Sequence, residues 1–149
     1  MKKHSWSHLS SQQIGRYAEY YTKMEFTLLG LDVYTAEVDD RGIDFVVRTP
    51  AGRHFDIQVK SVRERGYVFS RKKHFQLRPN LLMAFVPFRE REEPSLFLIS
   101  SESWCRPNAL FRDRDYEGLK SAPEWGLNVS KKNLPLLEPY RFSEVVITL

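Results

Sequence analysis

At 149 residues the chain is long enough to bury roughly 68–70% of the surface its unfolded form exposes, so no disulfide or metal staple is needed to hold it. Hydrophobic residues make up 42% and charged residues 28%, which excludes an intrinsically disordered chain, and the longest apolar run, Leu81 to Phe88, is far short of the roughly 20 residues of a membrane helix. A net charge of +4 is too small by itself to announce a nucleic-acid binder.

The first residues, Met1 to His8, carry positive charge with no apolar stretch behind them. They do not read as a secretory signal, and a cytoplasmic location is the expectation. The one cysteine, Cys105, excludes an intrachain disulfide and every multi-cysteine zinc pattern; beside Trp104 it reads as a small buried thiol. With no repeat, low-complexity tract or linker, one domain over residues 1–149 is expected, its first eight residues or so forming a short tail.

Ser10 and Gln13 fit the capping-box spacing S-x-x-Q and Gly30 is a natural helix stop, so a helix is expected from Ser11 to Leu29. Ile14, Ala18, Tyr21 and Leu28 share one stripe at helical spacing and should face a sheet. After Gly30 the pattern turns to β-type residues: Leu31 to Thr35, Ile43 to Arg48 and Phe55 to Lys60. The last two flank Pro50-Ala51-Gly52 and read as a hairpin. Tyr67 to Phe69 is a further short strand, and Leu81 to Val86 and Leu96 to Ile99 have the continuous apolar character of central strands buried on both faces. Ser100 to Glu102 can cap a helix near Trp104. Residues 106–139, with four prolines, give no assignment, and Val145 to Leu149 reads equally as strand or helix. The expected class is α/β or α+β: a helix, then a mixed sheet with flanking helices.

The charge is unevenly placed. Between Lys60 and Arg78 lie seven bases and one acid, a local +6 that leaves the rest of the chain at −2. Arg63, Arg65, Arg71, Lys72, Lys73 and Arg78 are thus candidates for a polyanion contact, with a solvated loop of mixed charge as the alternative. Tyr67, Phe69 and Phe75 are interleaved with them and read either as base-stacking groups or as strand and core residues.

The hairpin carries the sharpest chemical pattern. A three-residue loop, Pro50 to Gly52, puts Asp44 opposite Gln58 with Lys60 one side-chain repeat along the same face; a two-residue loop would set Asp44 against Val59 and dissolve the group. Apolar alternation favours the first, because only that register collects Phe45, Val47, Ile57 and Val59. An Asp, an amide oxygen and a Lys on one patch suit metal-assisted phosphodiester hydrolysis. Mg²⁺ takes hard oxygen ligands, here Asp44, Gln58 and the Val59 backbone carbonyl, with Mn²⁺ as a possible substitute. Lys60 would orient water or offset developing charge. The same residues also read as a surface Asp–Lys pair worth roughly 0.2–1 kcal/mol.

Gly15-Arg16-Tyr17-Ala18-Glu19 on a helix, Gly30, Arg41-Gly42-Ile43-Asp44 and Ile57-Gln58-Val59-Lys60, in that order, resemble the PD-(D/E)XK nuclease superfamily. The G-x-x-x-E helix is similar to that of archaeal Holliday-junction resolvases, and Gln in the third motif is similar to Mrr-type restriction endonucleases. Small bacterial proteins with a GxxAE…GxD…IQVK pattern are closer still. The resemblance covers residues 11 to 63 and implies a restriction-endonuclease-like core with Glu19, Asp44, Gln58 and Lys60 at the active site. Gln58 in place of a carboxylate removes one charge from the metal site, to be compensated by another acid. Glu19 lies off the predicted stripe and Glu25 inside it, so either helix rotation brings Glu19 to Asp44 or Glu25 is the helix acid. Glu37, Asp39 and Asp40 read as a solvated acidic loop that could also lend the site a ligand.

No G-x-S-x-G, P-loop or H-E-x-x-H pattern occurs, the four histidines are scattered, and no organic cofactor is expected. The expectation is a Mg²⁺-dependent endonuclease acting on DNA, as a homodimer where both strands are cut. Its rivals are a catalytically inactive module of the same fold that binds nucleic acid or protein, and a structural domain whose basic segment meets an acidic partner.

Overall fold

The computed structural model describes residues 2–38 and 41–149. In chain order the elements are α1 (Ser11–Leu28), β1 (Asp32–Tyr34), β2 (Phe45–Arg48), β3 (His54–Arg63), β4 (Gly66–Arg71), β5 (Leu81–Phe88), β6 (Phe97–Ser100), β7 (Phe111–Arg114), β8 (Glu124–Val129), and two single-turn helices, α2 (Leu134–Leu137) and α3 (Phe142–Val145). Short 3₁₀ turns punctuate them at Lys72–His74, Ser101–Cys105, Glu138–Tyr140 and Val146–Thr148. No described helix is long and apolar enough to cross a membrane.

Helix α1 opens on the predicted capping box: Gln13 N donates to Ser10 Oγ at 3.1 Å and Ser10 N to Gln13 Oε1 at 2.8 Å. Such a cap contributes on the order of 1 kcal/mol. The helix closes before Gly30, whose φ of +83° favours glycine. Its buried stripe is Ile14, Ala18, Thr22 and Phe26. Tyr21 packs against the same core, but Leu28 is 77% exposed, so the stripe is turned by about 60° from the predicted one, toward the Glu19 side. Burying Thr22 is affordable because its hydroxyl donates to Ala18 O at 2.7 Å.

The main sheet has the order β1-β2-β3-β5-β6, antiparallel except for the parallel pair β3–β5. A second sheet, β4-β8-β7, is antiparallel throughout. Alternation along β5 shows how the layers are joined. Leu82, Ala84, Val86 and Phe88 pack into the core with α1, while Leu81, Met83 and Phe85 pack into a second core with Phe111, Leu127 and Val129 of the smaller sheet. An apolar run with no polar alternation is what a strand sandwiched on both faces requires.

Several expectations are corrected. β6 is an edge strand, not a central one. Its outer side is covered by the C-terminal segment, through a Phe97–Arg141 bridge and a Phe142 N to Leu96 O bond of 3.0 Å. The unassigned stretch contains β7, β8 and α2, and the C-terminus is helical. Beyond α1 there is no long flanking helix among the described residues. The helix foreseen after Ser100 is only a 3₁₀ turn, which buries Trp104 and leaves Cys105 exposed. The N-terminal tail is docked. Trp6 is buried edge-on against Phe88 and Tyr17, and Glu90 accepts from Ser5 Oγ, Trp6 N and Ser7 N at 2.8–3.1 Å.

Candidate active site

The β2–β3 hairpin has the three-residue-loop register: Phe45 pairs with Ile57 and Val47 with Phe55, and Thr49 N donates to Arg53 O at 2.8 Å. Pairing ends at Phe45. Asp44 N still donates to Ile57 O at 2.9 Å, and then the chain peels away from β3. At that point the Asp44 side chain takes over the ladder, Oδ2 accepting from Val59 N at 2.6 Å. The amide and carbonyl of a strand residue leave by the same edge, so the Val59 carbonyl faces the opening where β2 has parted from β3.

The bend that frees Asp44 is fixed at Gly42. Its φ is +73°, and a Cβ there would lie 2.9 Å from His74 Cβ and 3.0 Å from Gln58 Nε2. Only glycine lets this turn approach β3 so closely. Gln58 is buried with both ends of its amide engaged: Nε2 donates to Gly42 O, and Oε1 accepts from Ser70 Oγ of β4. The side chain thereby ties the Asp44 loop, β3 and the second sheet together.

Lys60 is half-buried near Asp44. Burial pushes its ammonium below the ordinary lysine value, and the Asp44 carboxylate offsets part of that shift. Glu19 faces Asp44 across an open depression of about 820 Å³, lined also by Ser10, Gln12, Gln13, Gly15, Arg16 and Val59. Its carboxylate pairs with Lys23 at 3.2 Å and Arg16 at 3.3 Å. The helix rotation described above is what brings Glu19 round. Glu25 lies on the opposite flank, near Tyr21 and Glu93, where burial, helped by the charges of Glu25 and Glu93, pushes the Tyr21 hydroxyl up to about 12. Glu37 is exposed, and Asp39 and Asp40 lie outside the described residues.

Among the described residues no three His, Cys, Asp or Glu side chains converge as a metal cluster. The depression does offer an all-oxygen donor set, namely the Asp44 carboxylate, the Val59 carbonyl and the Glu19 carboxylate. That chemistry fits a hard divalent cation which keeps several waters and takes one or two carboxylates. The Gln58 oxygen, turned to Ser70 between the sheets, enters this set less directly than its place in the sequence suggests.

The basic segment does not form one track. Arg63 donates to the carbonyls of Trp6 and Leu9 and clamps the N-terminal tail. Lys72 pairs with Asp113 and Asp115 and lies 4.0 Å over the Trp125 ring. Arg65 borders a separate cleft of about 330 Å³ beside α2, and Arg71 is exposed on the second sheet. Lys73 and Arg78 lie beside Arg41 and Ile43, which flank Gly42. They line a groove of about 520 Å³ on the other flank of the Gly42 turn, with Arg41, Ile43, Asp56, His74 and Gln76. Arg78 pairs there with Asp56 at 2.6 Å. Arg41, His74 and Ser70 were missed by sequence reasoning. Arg41 and His74 are distinguished only by tertiary neighbours, whereas the alternation that turns Ser70 inward was legible along β4.

No family model and no curated protein matches the chain. Among solved structures it is similar to Hjc, a Holliday junction resolvase from the archaeal hyperthermophile Archaeoglobus fulgidus. The TM-score is 0.56 at 12% sequence identity, covering 88% of this chain and 93% of that one. The chain therefore has the mixed α+β, restriction-endonuclease-like fold, with the N-terminal helix laid on a mixed sheet.

Proposed function

We propose that this chain is a divalent-metal-dependent endonuclease of the PD-(D/E)XK superfamily that hydrolyses DNA phosphodiester bonds as a single cytoplasmic domain. The observation that carries the reading is the placement of Asp44. Its carboxylate is held on the Val59 amide at the point where β2 leaves β3, with Lys60 beside it and Glu19 across the depression. Asp44, the Val59 carbonyl and Glu19 would hold Mg²⁺ or Mn²⁺, with Gln58 fixing the turn that presents Asp44. Such an ion, when bound, supplies an acidified water and charge stabilisation at the phosphorus. Lys60, half-buried beside Asp44, would offset negative charge on the phosphoryl oxygens and orient the attacking water. Lys73 and Arg78, with Arg41 and His74, hold the flanking backbone. One such site cuts one strand, so duplex cleavage calls for two copies.

A second reading has its own support. Both ends of the Gln58 amide are engaged by protein groups, and no three-acid cluster stands among the described residues, as in a non-catalytic nucleic-acid-binding or protein-interaction module. Plasmid nicking with Mg²⁺ or Mn²⁺ separates the two. Asp44→Asn keeps an oxygen for the Val59 amide and removes the charge, so it should lower the nicking rate by at least about a hundred-fold with the fold intact. Wild-type protein that binds DNA without nicking it establishes the second reading, and nicking that survives Asp44→Asn refutes the site.

A further inference from the structure

The outer face of the second sheet combines rings and arginines. Val68, Leu127, Val129 and Phe111 turn inward to the core, and Ser70 turns inward to Gln58. Alternation therefore sends Tyr67, Phe69 and Arg71 of β4 outward. Register places Gly126 beside Phe69 and Glu124 beside Arg71, and sets Arg112 and Arg114 of β7 opposite those two on the far side of β8.

Tyr67 is immobilised on this face. Its ring lies across Gly126, where no side chain could be accommodated, its hydroxyl donates to the buried Glu124, and the Arg114 guanidinium stands 4.4 Å over the ring. Phe69 stacks alongside, with ring centroids 6.2 Å apart and planes 25° off parallel, yet it remains 44% exposed. One exposed apolar side chain needs no explanation. A fixed ring, a second open ring stacked beside it, and three arginines on the strands to either side of Glu124, which Tyr67 already engages, form a more specific array.

We propose that this face is a stacking platform for an unpaired nucleic-acid strand, with a base seated on Phe69 next to Tyr67 and the backbone phosphates on Arg71, Arg112 and Arg114. Rings of any base can stack there without sequence preference, and the arginines supply the complementary charge. The proposal rests on the nucleic-acid reading of the chain, and it adds the class of substrate: DNA carrying a single-stranded portion. Phe69 and Arg71 flank Ser70, which bonds Gln58 from the other side of the strand, so the platform stands back to back with the Asp44 turn.

The test is fluorescence anisotropy in EDTA, where no metal-dependent cleavage occurs, using three labelled probes of equal length: a single strand, the same strand with abasic sites throughout, and a blunt duplex. The wild type should bind the base-bearing strand more tightly than the abasic one. Phe69→Ala should cost the base-bearing strand roughly ten-fold in affinity and leave the abasic strand unchanged, and Phe69→Trp should restore binding. Arg112→Gln should weaken both single strands and flatten the salt dependence by about 0.7 in log K per log salt. Equal loss on base-bearing and abasic strands, or no loss on either, overturns the platform even if Asp44-dependent nicking is observed. Base-selective loss sustains it even if nicking is not.

Discussion

Lys60 holds its charge at a place where the charge is expensive. Burial disfavours the ammonium more than Asp44 favours it, so its proton is bound less tightly in the folded chain than in the unfolded one, which has the ordinary value of 10.5. A lysine lowered in this way costs stability at every pH below its folded value. That cost is relieved as the pH climbs from the folded value to 10.5, because over that interval the unfolded chain carries more protons. Lys60→Met, similar in length and uncharged, should therefore be more stable than the wild type at neutral pH, by roughly 0.5–1 kcal/mol. For a chain of this size that is a rise of about 1–4 °C in Tm. The advantage should shrink as the pH is raised into the alkaline interval, and DNA nicking should be lost at all pH values. Thermal melts at neutral and alkaline pH, paired with the nicking assay, check both parts. A less stable Lys60→Met would mean that the attraction of Asp44 outweighs burial, and would remove the energetic sign of a site kept for function.

At the scale of elements, local periodicity settled some features and tertiary packing settled others. The β2–β3 register was legible because a one-residue slip would have turned Phe45, Val47, Ile57 and Val59 out of the core, so the alternation admitted a single answer. The rotation of α1 was not. A threonine whose hydroxyl bonds Ala18 O packs like an apolar residue, so a stripe drawn through hydrophobic residues passed over Thr22 and took in Leu28. The eight-residue tail carried no sign of its docking for a similar reason. Its one large residue, Trp6, finds its partners some eighty residues away on β5 and the β5–β6 loop. The energetic consequence is specific. Trp6→Ala should cost about 3 kcal/mol, the lower end for a buried aromatic, by emptying the seat between Phe88 and Tyr17 and loosening the backbone groups held by Glu90 and Arg63. Urea titration should show a lower midpoint at unchanged slope. A midpoint equal to that of the wild type would mean the tail is not part of the cooperative unit.

Across the whole molecule the fold decides which charges are available to a polyanion. A linear count from Lys60 to Arg78 credits every base equally, but folding engages some of them and leaves others open. Lys72 is enclosed by Asp113, Asp115 and the Trp125 ring, Arg63 is spent on two tail carbonyls, and Arg78 is paired with Asp56. Lys73, adjacent to Lys72 in sequence, is exposed and lines the groove beside the Gly42 turn. Duplex binding gains by releasing counterions only where a cation meets a phosphate, at about 0.9 in log K per log salt for each phosphate neutralised. Lys73→Gln should thus flatten the salt dependence of duplex affinity by about that amount. Lys72→Gln, one residue away and with the same change in net charge, should leave the slope where it is, because a lysine shared between two aspartates displaces no counterion from DNA. Arg78→Gln should fall between them, since Asp56 already offsets part of its charge. Titrations of a duplex over a range of salt concentrations give the three slopes directly. Equal slopes for Lys72→Gln and Lys73→Gln would show that net charge, and not the groove beside Asp44, governs how this chain meets DNA.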